Sequence, residues 1–159
     1  MPLVTVEDAI DDLPSIVAGE NENPRSYGED GSKLTPYQRM MRKKSDVLHN
    51  HLGWKHTEKL LNRLKDIKPG KNLFDGRPKR YFSQAYGRLH PRGLARTITA
   101  NFHNPGGGRF LHYRDLRAIS VREAARLQGF DDEFLFIKSP KIQERCLKRG
   151  RRCTRRELS

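Results

Sequence analysis

The stretch REAARLQGFDDEF, residues Arg122–Phe134, predicts a capped helix that ends in an acidic, aromatic turn. Ser120 and Glu123 have the spacing of a capping box, in which each side chain satisfies a backbone donor at the start of the helix. The alanines and the leucine that follow are strong helix formers. Gly129 is placed to end the helix. We therefore predict a short helix here, with the aromatic side chains beyond Gly129 packed below it.

Three further helices are predicted in the first half of the chain. Thr5 is a good N-cap for the first, and Pro14 ends it. Thr35 caps the second, with Pro36 at its first helical position. The third lies within residues 54–70, where leucines and an isoleucine recur on one helical face. The chain thus begins with short helices separated by loops.

From Asn72 to Arg114 the pattern changes to an apolar alternation of period two, broken by Gly and Pro. Fragments such as ARTITANF, residues 95–102, are typical of short strands joined by long loops. The triple glycine in HNPGGGRF, residues 103–110, lacks the spacing of a phosphate-binding loop and is interpreted as a flexible turn. The predicted fold class is α+β: N-terminal helices, a small irregular antiparallel sheet and a capped C-terminal helix.

The formal net charge of +13 favours a polyanionic partner, most simply a nucleic acid. The charge is unevenly spread, because residues 138–159 carry nine Lys/Arg against two Glu. We therefore divide the chain into a domain, residues 1–137, and a basic tail, residues 138–159. The tail is expected to be disordered and to bind nucleic acid without specificity.

No metal, disulfide or membrane feature is predicted. Cys146 and Cys153 are seven residues apart in the basic tail, which fits neither a zinc motif nor a disulfide framework. The six histidines are scattered. The N-terminus has no signal segment, and no apolar run approaches the roughly 20 residues of a membrane span. A cytoplasmic protein is expected.

The segment LRAISVREAARLQGFDDEF, residues 116–134, resembles the ninth signature motif of the cytosine-5 DNA methyltransferases, Arg-x-Leu-Thr-x-Arg-Glu-x-Ala-Arg-Leu-Gln-x-Phe-Pro-Asp-x-Phe. Ile119 and Ser120 replace Leu-Thr, and Asp131 replaces proline. The matching positions are Arg117, Arg122, Glu123, Ala125, Arg126, Leu127, Gln128, Phe130, Asp132 and Phe134. The resemblance implies a helix that supports the family's target-recognition domain. It assigns structural roles to Arg117, Ser120, Arg122, Glu123, Arg126 and Gln128.

Other segments resemble the same family's recognition region. VTVEDAIDDLP, residues 4–14, is similar to the segment that opens it, and Thr97-Ile98 to a Thr-Ile or Thr-Leu pair that lies close to DNA. Base-edge contacts to double-stranded DNA are expected from loops between Tyr81 and Arg109. The candidate DNA contacts are Arg80, Tyr86, Arg88, Arg92, Arg96, Thr97, Thr99 and Asn101.

The family's chemistry needs parts that this sequence does not match. Methyl transfer to cytosine requires base flipping, a thiolate nucleophile, an acid and a methyl donor. In the family a Rossmann-like half supplies a Gly-rich S-adenosylmethionine loop, a Pro-Cys nucleophile and a Glu-Asn-Val acid. No such motifs occur here, and neither cysteine follows a proline. We therefore expect no catalytic residue and no cofactor in this chain, and a Rossmann-like half that is absent from it.

Three functions remain open at this point. The leading hypothesis is a C-terminal fragment of a cytosine-5 DNA methyltransferase that recognises DNA and is inactive alone. The second is one subunit of a split methyltransferase, complemented by a separate catalytic chain. The third is a basic remnant that binds nucleic acid without sequence preference.

Overall fold

The computed structural model of the protein describes residues 3–28, 31–76 and 84–136. Within them lie four short α-helices, α1 (Val6–Ile10), α2 (Pro36–Arg42), α3 (Glu58–Leu64) and α4 (Val121–Leu127). Two 3₁₀ turns cover Gly31–Lys33 and Pro105–Gly107. The remaining described residues form turns and extended loops, so side-chain contacts between distant segments hold much of this fold together.

The predicted helix starts are confirmed. Thr5, Thr35 and Ser120 each accept a hydrogen bond from the backbone of the third helical residue, whose side chain bonds back to the cap. Such caps each contribute about 1 kcal/mol. Gly129 follows α4 with φ +85°, a left-handed conformation that glycine adopts without a steric penalty. The local signals therefore predict the starts of these helices correctly, whereas α1 ends at Ile10, before the stop predicted at Pro14.

The predicted antiparallel sheet takes a different form in the described residues. Its pairing there is limited to isolated bridges. Leu111 contacts both Arg88, in a parallel bridge, and Ala118, in an antiparallel bridge, while Asn72 pairs with Gly87. Proline and glycine around residues 91–93 and 105–108 interrupt the backbone before a ladder can extend. Much of KRYFSQAYGRL, residues 79–89, lies outside the described residues.

The main core forms where α1 packs against α2 and α4. Ile10, Phe102, Ile119 and Ala124 are buried at its centre. A smaller cluster of Leu64, Ile67 and Leu111 attaches α3 and its following loop to the rest. The main core therefore joins α1, near the N-terminus, to α4, and residues 84–119 contribute side chains to both clusters.

Several predictions concern residues that the structure does not describe. These are Arg80, the basic tail 138–159, and its two cysteines. Across residues 3–28, 31–76 and 84–136, no helix has the length and apolar character that crossing a bilayer requires.

Candidate nucleic-acid interface and its supporting core

Helix α4 buries charged side chains as well as apolar ones. Arg117 and Glu123, each about 1% exposed, form a bidentate pair in which both Arg117 Nη atoms lie 2.7 Å from the Glu123 carboxylate oxygens. Arg117 also donates to Asp115 at 2.8 Å. Burial alone would raise the pKa of Glu123, but the charge and hydrogen bonds of Arg117 hold that pKa well below its usual range. Glu123 is therefore an ionised anchor at the start of α4.

A second buried pair closes the other end of α4. Arg126 donates from Nε and Nη2 to the two carboxylate oxygens of Asp132, at 3.0 and 2.6 Å. It also contacts Asp12, near α1. Burial would lower the pKa of Arg126, but these carboxylates raise it. The pair thereby ties α4 to the turn that follows it and to the N-terminal segment.

Arg122 donates its hydrogen bonds to backbone oxygens, and its Nη1 also lies 3.7 Å from the Asp132 carboxylate. Its guanidinium donates to the carbonyl groups of His49, Asp131 and Phe134, at 2.9, 2.9 and 2.8 Å. Because the Asp131 contact uses the main chain, the motif's usual proline and the aspartate found here can fill the same role. Gln128, by contrast, has an exposed side chain and serves as the C-cap through its backbone N–H.

Two buried histidines, His51 and His112, complete this core, although their scattered positions in the sequence did not predict their burial. His51 bridges the Ser120 hydroxyl at 2.9 Å and the Pro14 carbonyl at 2.8 Å. His112 Nδ1 accepts the backbone N–H groups of Arg114 and Asp115, so its Nε2 carries the proton and faces Glu123 at 3.5 Å. Burial lowers the pKa of His112 to about 4. Both side chains fix the N-terminus of α4.

His112 predicts a specific acid sensitivity. The unfolded chain takes up a proton at about pH 6.5, whereas folded His112 takes it up near pH 4, so folding stability falls as the pH drops through this window. The expected loss between pH 7 and pH 4.5 is on the order of 2–3 kcal/mol. His112→Asn, which keeps an acceptor for the two amides, should remove this part of the loss.

Urea unfolding of the wild type and of the His112→Asn variant at pH 7 and about pH 4.5 measures how much stability each loses. Exposed His90→Asn serves as the control and should retain the wild-type dependence on pH. An equal loss in wild type and in the His112→Asn variant would contradict the assignment.

The candidate DNA-binding surface is a groove with a volume of about 470 Å³. Segments 95–99 and 107–110 line it together with Gln84. Arg96, Thr97 and Thr99 are exposed along it, whereas Ile98 between them is buried in the core. The buried Ile98 thus anchors an exposed row of one guanidinium and two hydroxyl groups. Such groups hydrogen-bond to phosphates and base edges.

Arg109 also lines the groove and was not among the predicted contacts. Its Nε donates to Gln84 Oε1 at 3.1 Å, and its Nη1 donates to the Gly70 carbonyl. The sequence signal that could have identified Arg109 is its position directly after three glycines, which leave space for a long cationic side chain. The groove is therefore positively charged on both of its lining segments.

Comparison with known proteins identifies the family. Residues 12–147 match the family model described as C-5 cytosine-specific DNA methylase. This protein belongs to the C-5 cytosine-specific DNA methylase family.

Among curated members of this methylase family, the type II methyltransferase M.DdeI of Desulfomicrobium norvegicum is 32% identical over 146 residues, covering 83% of this chain and 34% of M.DdeI. The DNA (cytosine-5-)-methyltransferase M.ApeKI of Aeropyrum pernix is 37% identical over an alignment of 92 residues that covers 53% of this chain and 19% of that protein. The chain therefore spans about a third or less of the length of these two relatives.

The fold is also found in a solved methylase structure. A protein assigned as a DNA modification methyltransferase, encoded within a prophage in Escherichia coli, superposes with a TM-score of 0.65 at 23% identity. The superposition covers 94% of this chain and 43% of the other. At this identity the likeness concerns the fold alone.

The predicted DNA-contact residues lie in different parts of the structure. Arg96, Thr97 and Thr99 meet in the groove, and exposed Asn101 adjoins it through Gly107. Tyr86 is half-buried beside Phe74, with the Arg63 guanidinium 5.9 Å from its ring centre. Arg92 is exposed and lies 3.8 Å from Glu7.

One predicted contact is corrected by its burial. Arg88 is 5% exposed, and its guanidinium donates to the carbonyl groups of His112 and Asp115 at 3.0 and 3.2 Å. It binds main-chain oxygens inside the domain and cannot reach a duplex without unfolding that region. We assign it a structural role.

The glycine-rich turn of residues 106–108 does not fit S-adenosylmethionine, the cofactor that the methylase family implies. The glycine-rich turn is filled by its own neighbours, since a Cβ on Gly108 would lie 2.5 Å from the Phe110 ring and one on Gly106 would lie 3.2 Å from the Tyr86 hydroxyl. The turn is therefore a packing feature of the groove wall. No cluster of three or more potential metal ligands was found in the described part of the chain.

Proposed function

We propose that this chain is the target-recognition portion of a DNA cytosine-5 methyltransferase, and that it contacts double-stranded DNA through the groove lined by Arg96, Thr97 and Thr99. The proposal rests on one observation, the contrast between buried and exposed arginines. The signature-motif arginines are buried in ion pairs and carbonyl contacts, while Arg96 and its neighbouring threonines are left exposed in one groove.

The complete enzyme would transfer a methyl group from S-adenosylmethionine to carbon 5 of cytosine. The attacking thiolate and the cofactor site would come from residues beyond these 159, because neither cysteine here follows a proline and the glycine-rich turn is filled. M.DdeI is named a type II methyltransferase, so we place the chain in a restriction–modification setting. In this proposal the chain is inactive alone.

Binding to a fluorescent duplex tests the role of the groove. The triple substitution Arg96→Ala/Thr97→Ala/Thr99→Ala should weaken affinity by about 10- to 100-fold, since the loss of even one good bidentate base contact is worth roughly 1–3 kcal/mol. Arg39→Ala, at an exposed position of α2, removes the same charge and should change affinity by about twofold or less. Fluorescence anisotropy with one duplex at fixed salt provides both values. Equal affinities for the two variants would overturn the groove assignment.

A methyl-transfer assay tests whether the chain is inactive alone. The purified chain, incubated with duplex DNA and labelled S-adenosylmethionine, should incorporate no label. Mixing it with the part of M.DdeI that lies outside the matched 34% asks whether a separate catalytic chain can complement it, as in a split enzyme. Incorporation by the chain alone would refute the proposed inactivity.

A nonspecific remnant makes the opposite prediction for the tail. If residues 138–159 provide most of the binding, their deletion should abolish DNA binding. If the groove recognises DNA, deletion should weaken binding and leave sequence preference unchanged, because the positive charge of residues 138–159 adds only sequence-independent attraction.

A further inference from the structure

Five basic side chains are exposed on α3 and the loop after it. The loop presents Lys65, Lys68 and Lys71 to solvent, and α3 adds Lys59 and Arg63. Within the described part of the chain, none of the three loop lysines forms an ion pair. Residues 59–71, called here the basic arm, contain five Lys/Arg and one acidic residue, Asp66.

Two arginines attach the basic arm to the groove region. Arg88, which packs beneath the arm, contacts the Leu64 carbonyl at the end of α3, and its backbone N–H donates to Lys71 at 2.8 Å. Arg109, which lines the groove, donates to the Gly70 carbonyl. Gly70 in turn donates its N–H to the Arg88 carbonyl at 3.1 Å. The arm and the groove are thus held in one arrangement by contacts to the arm's main chain, which leave its lysine side chains exposed.

The acidic residues gather elsewhere. Glu7, Asp8, Asp11 and Asp12 line a cleft with α2. Asp12 is paired with Arg42 and Arg126 there, and Asp11 with Arg114. Within the described residues, α1 and the residues just after it therefore carry an acidic group, whereas the arm and the groove carry a basic excess that is separate from the basic side chains around α2. A polyanion will be attracted to the arm and the groove.

We propose that Lys65, Lys68 and Lys71 bind the phosphates of the same duplex that the groove contacts. The inference rests on the proposed function and extends it, because the arm supplies the sequence-independent contacts that fix the position of the duplex. Lysine ammonium groups suit this role, since they act as mobile point charges toward phosphate oxygens. Arg109 is a positioning residue that couples the arm to the groove.

The salt dependence of binding distinguishes direct phosphate contacts from a general effect of charge. Lys65→Gln/Lys68→Gln/Lys71→Gln should reduce the slope of log affinity against log salt concentration by about 2–3, since each phosphate contact contributes roughly 0.9. Lys33→Gln/Lys43→Gln/Lys44→Gln removes the same charge at exposed positions around α2 and should reduce the slope by less than about 1. Binding of a fluorescent duplex by the 159-residue chain and its variants across salt concentrations gives both slopes.

Each outcome separates the two proposals. If wild type binds and the groove substitutions weaken binding, but the two lysine triples have equal slopes, the inference about the arm is overturned and the proposed function stands. If wild type does not bind duplex DNA at all, both are overturned. Circular dichroism melting curves confirm that the exposed substitutions leave the fold intact.

Discussion

Replacing Glu123 with glutamine is expected to reduce the free energy of unfolding by about 3 kcal/mol or more. The carboxylate accepts both Nη groups of Arg117 at 2.7 Å and the backbone N–H of Ser120 at 2.6 Å. A glutamine of the same shape turns one of these acceptors into a donor that faces donors. Because Arg117 is about 1% exposed, its charge would lose a partner that water cannot replace.

Urea unfolding at pH 7 measures this loss. Glu133→Gln is the matched control, because its carboxylate is half exposed and lies 3.4 Å from Lys44, a surface pair worth at most about 1 kcal/mol. Arg117→Gln combined with Glu123→Gln should cost less than the sum of the single changes, since neither charge is then buried alone. A loss below about 1 kcal/mol for Glu123→Gln would show that this pair does not hold α4 in place.

Asp132→Asn is expected to have an effect of similar size, about 3–5 kcal/mol. Asp132 accepts from Arg126 through both of its oxygens and from the Tyr27 hydroxyl at 2.7 Å. An asparagine directs an NH₂ group at one of these donors and removes the charge that balances Arg126. The substitution should therefore loosen the turn after α4 and its contact with the N-terminal segment.

The neighbouring position provides the control for Asp132. Asp131 contributes its backbone carbonyl to Arg122, so Asp131→Asn keeps that contact and should cost less than about 1 kcal/mol. Thermal unfolding of the two variants beside wild type gives the comparison. Similar destabilisation by both substitutions would mean that the charge of Asp132 has no special role.

The helix starts could be predicted from sequence because their signals are local. Thr5 with Asp8 and Ser120 with Glu123 interact across three residues, a spacing that the sequence displays directly. The ion pairs around α4 could not be predicted in the same way. Arg126 meets Asp12 across 114 positions, and no local pattern selects that partner. The strand prediction rested on a period-two pattern; in the described residues proline and glycine interrupt that backbone, and its pairing is limited to isolated bridges.

The candidate site was predictable in part for a similar reason. The alternation around Ile98 correctly separates the buried side chain from exposed Thr97 and Thr99. Arg88 and Arg96, however, look alike in the sequence. Arg88 is buried because carbonyl groups of Leu64, His112 and Asp115 converge on its guanidinium, which only the folded chain brings together. A sequence pattern cannot distinguish a structural arginine from a DNA-binding one under these conditions.

Sequence recognition by the groove is tested by selection of duplexes from a random pool with the purified chain, followed by sequencing. We expect enrichment of a short duplex site that contains cytosine, and loss of that enrichment in the Arg96→Ala/Thr97→Ala/Thr99→Ala variant. A wild-type pool no more enriched than the variant's pool would contradict the claim that this groove recognises DNA.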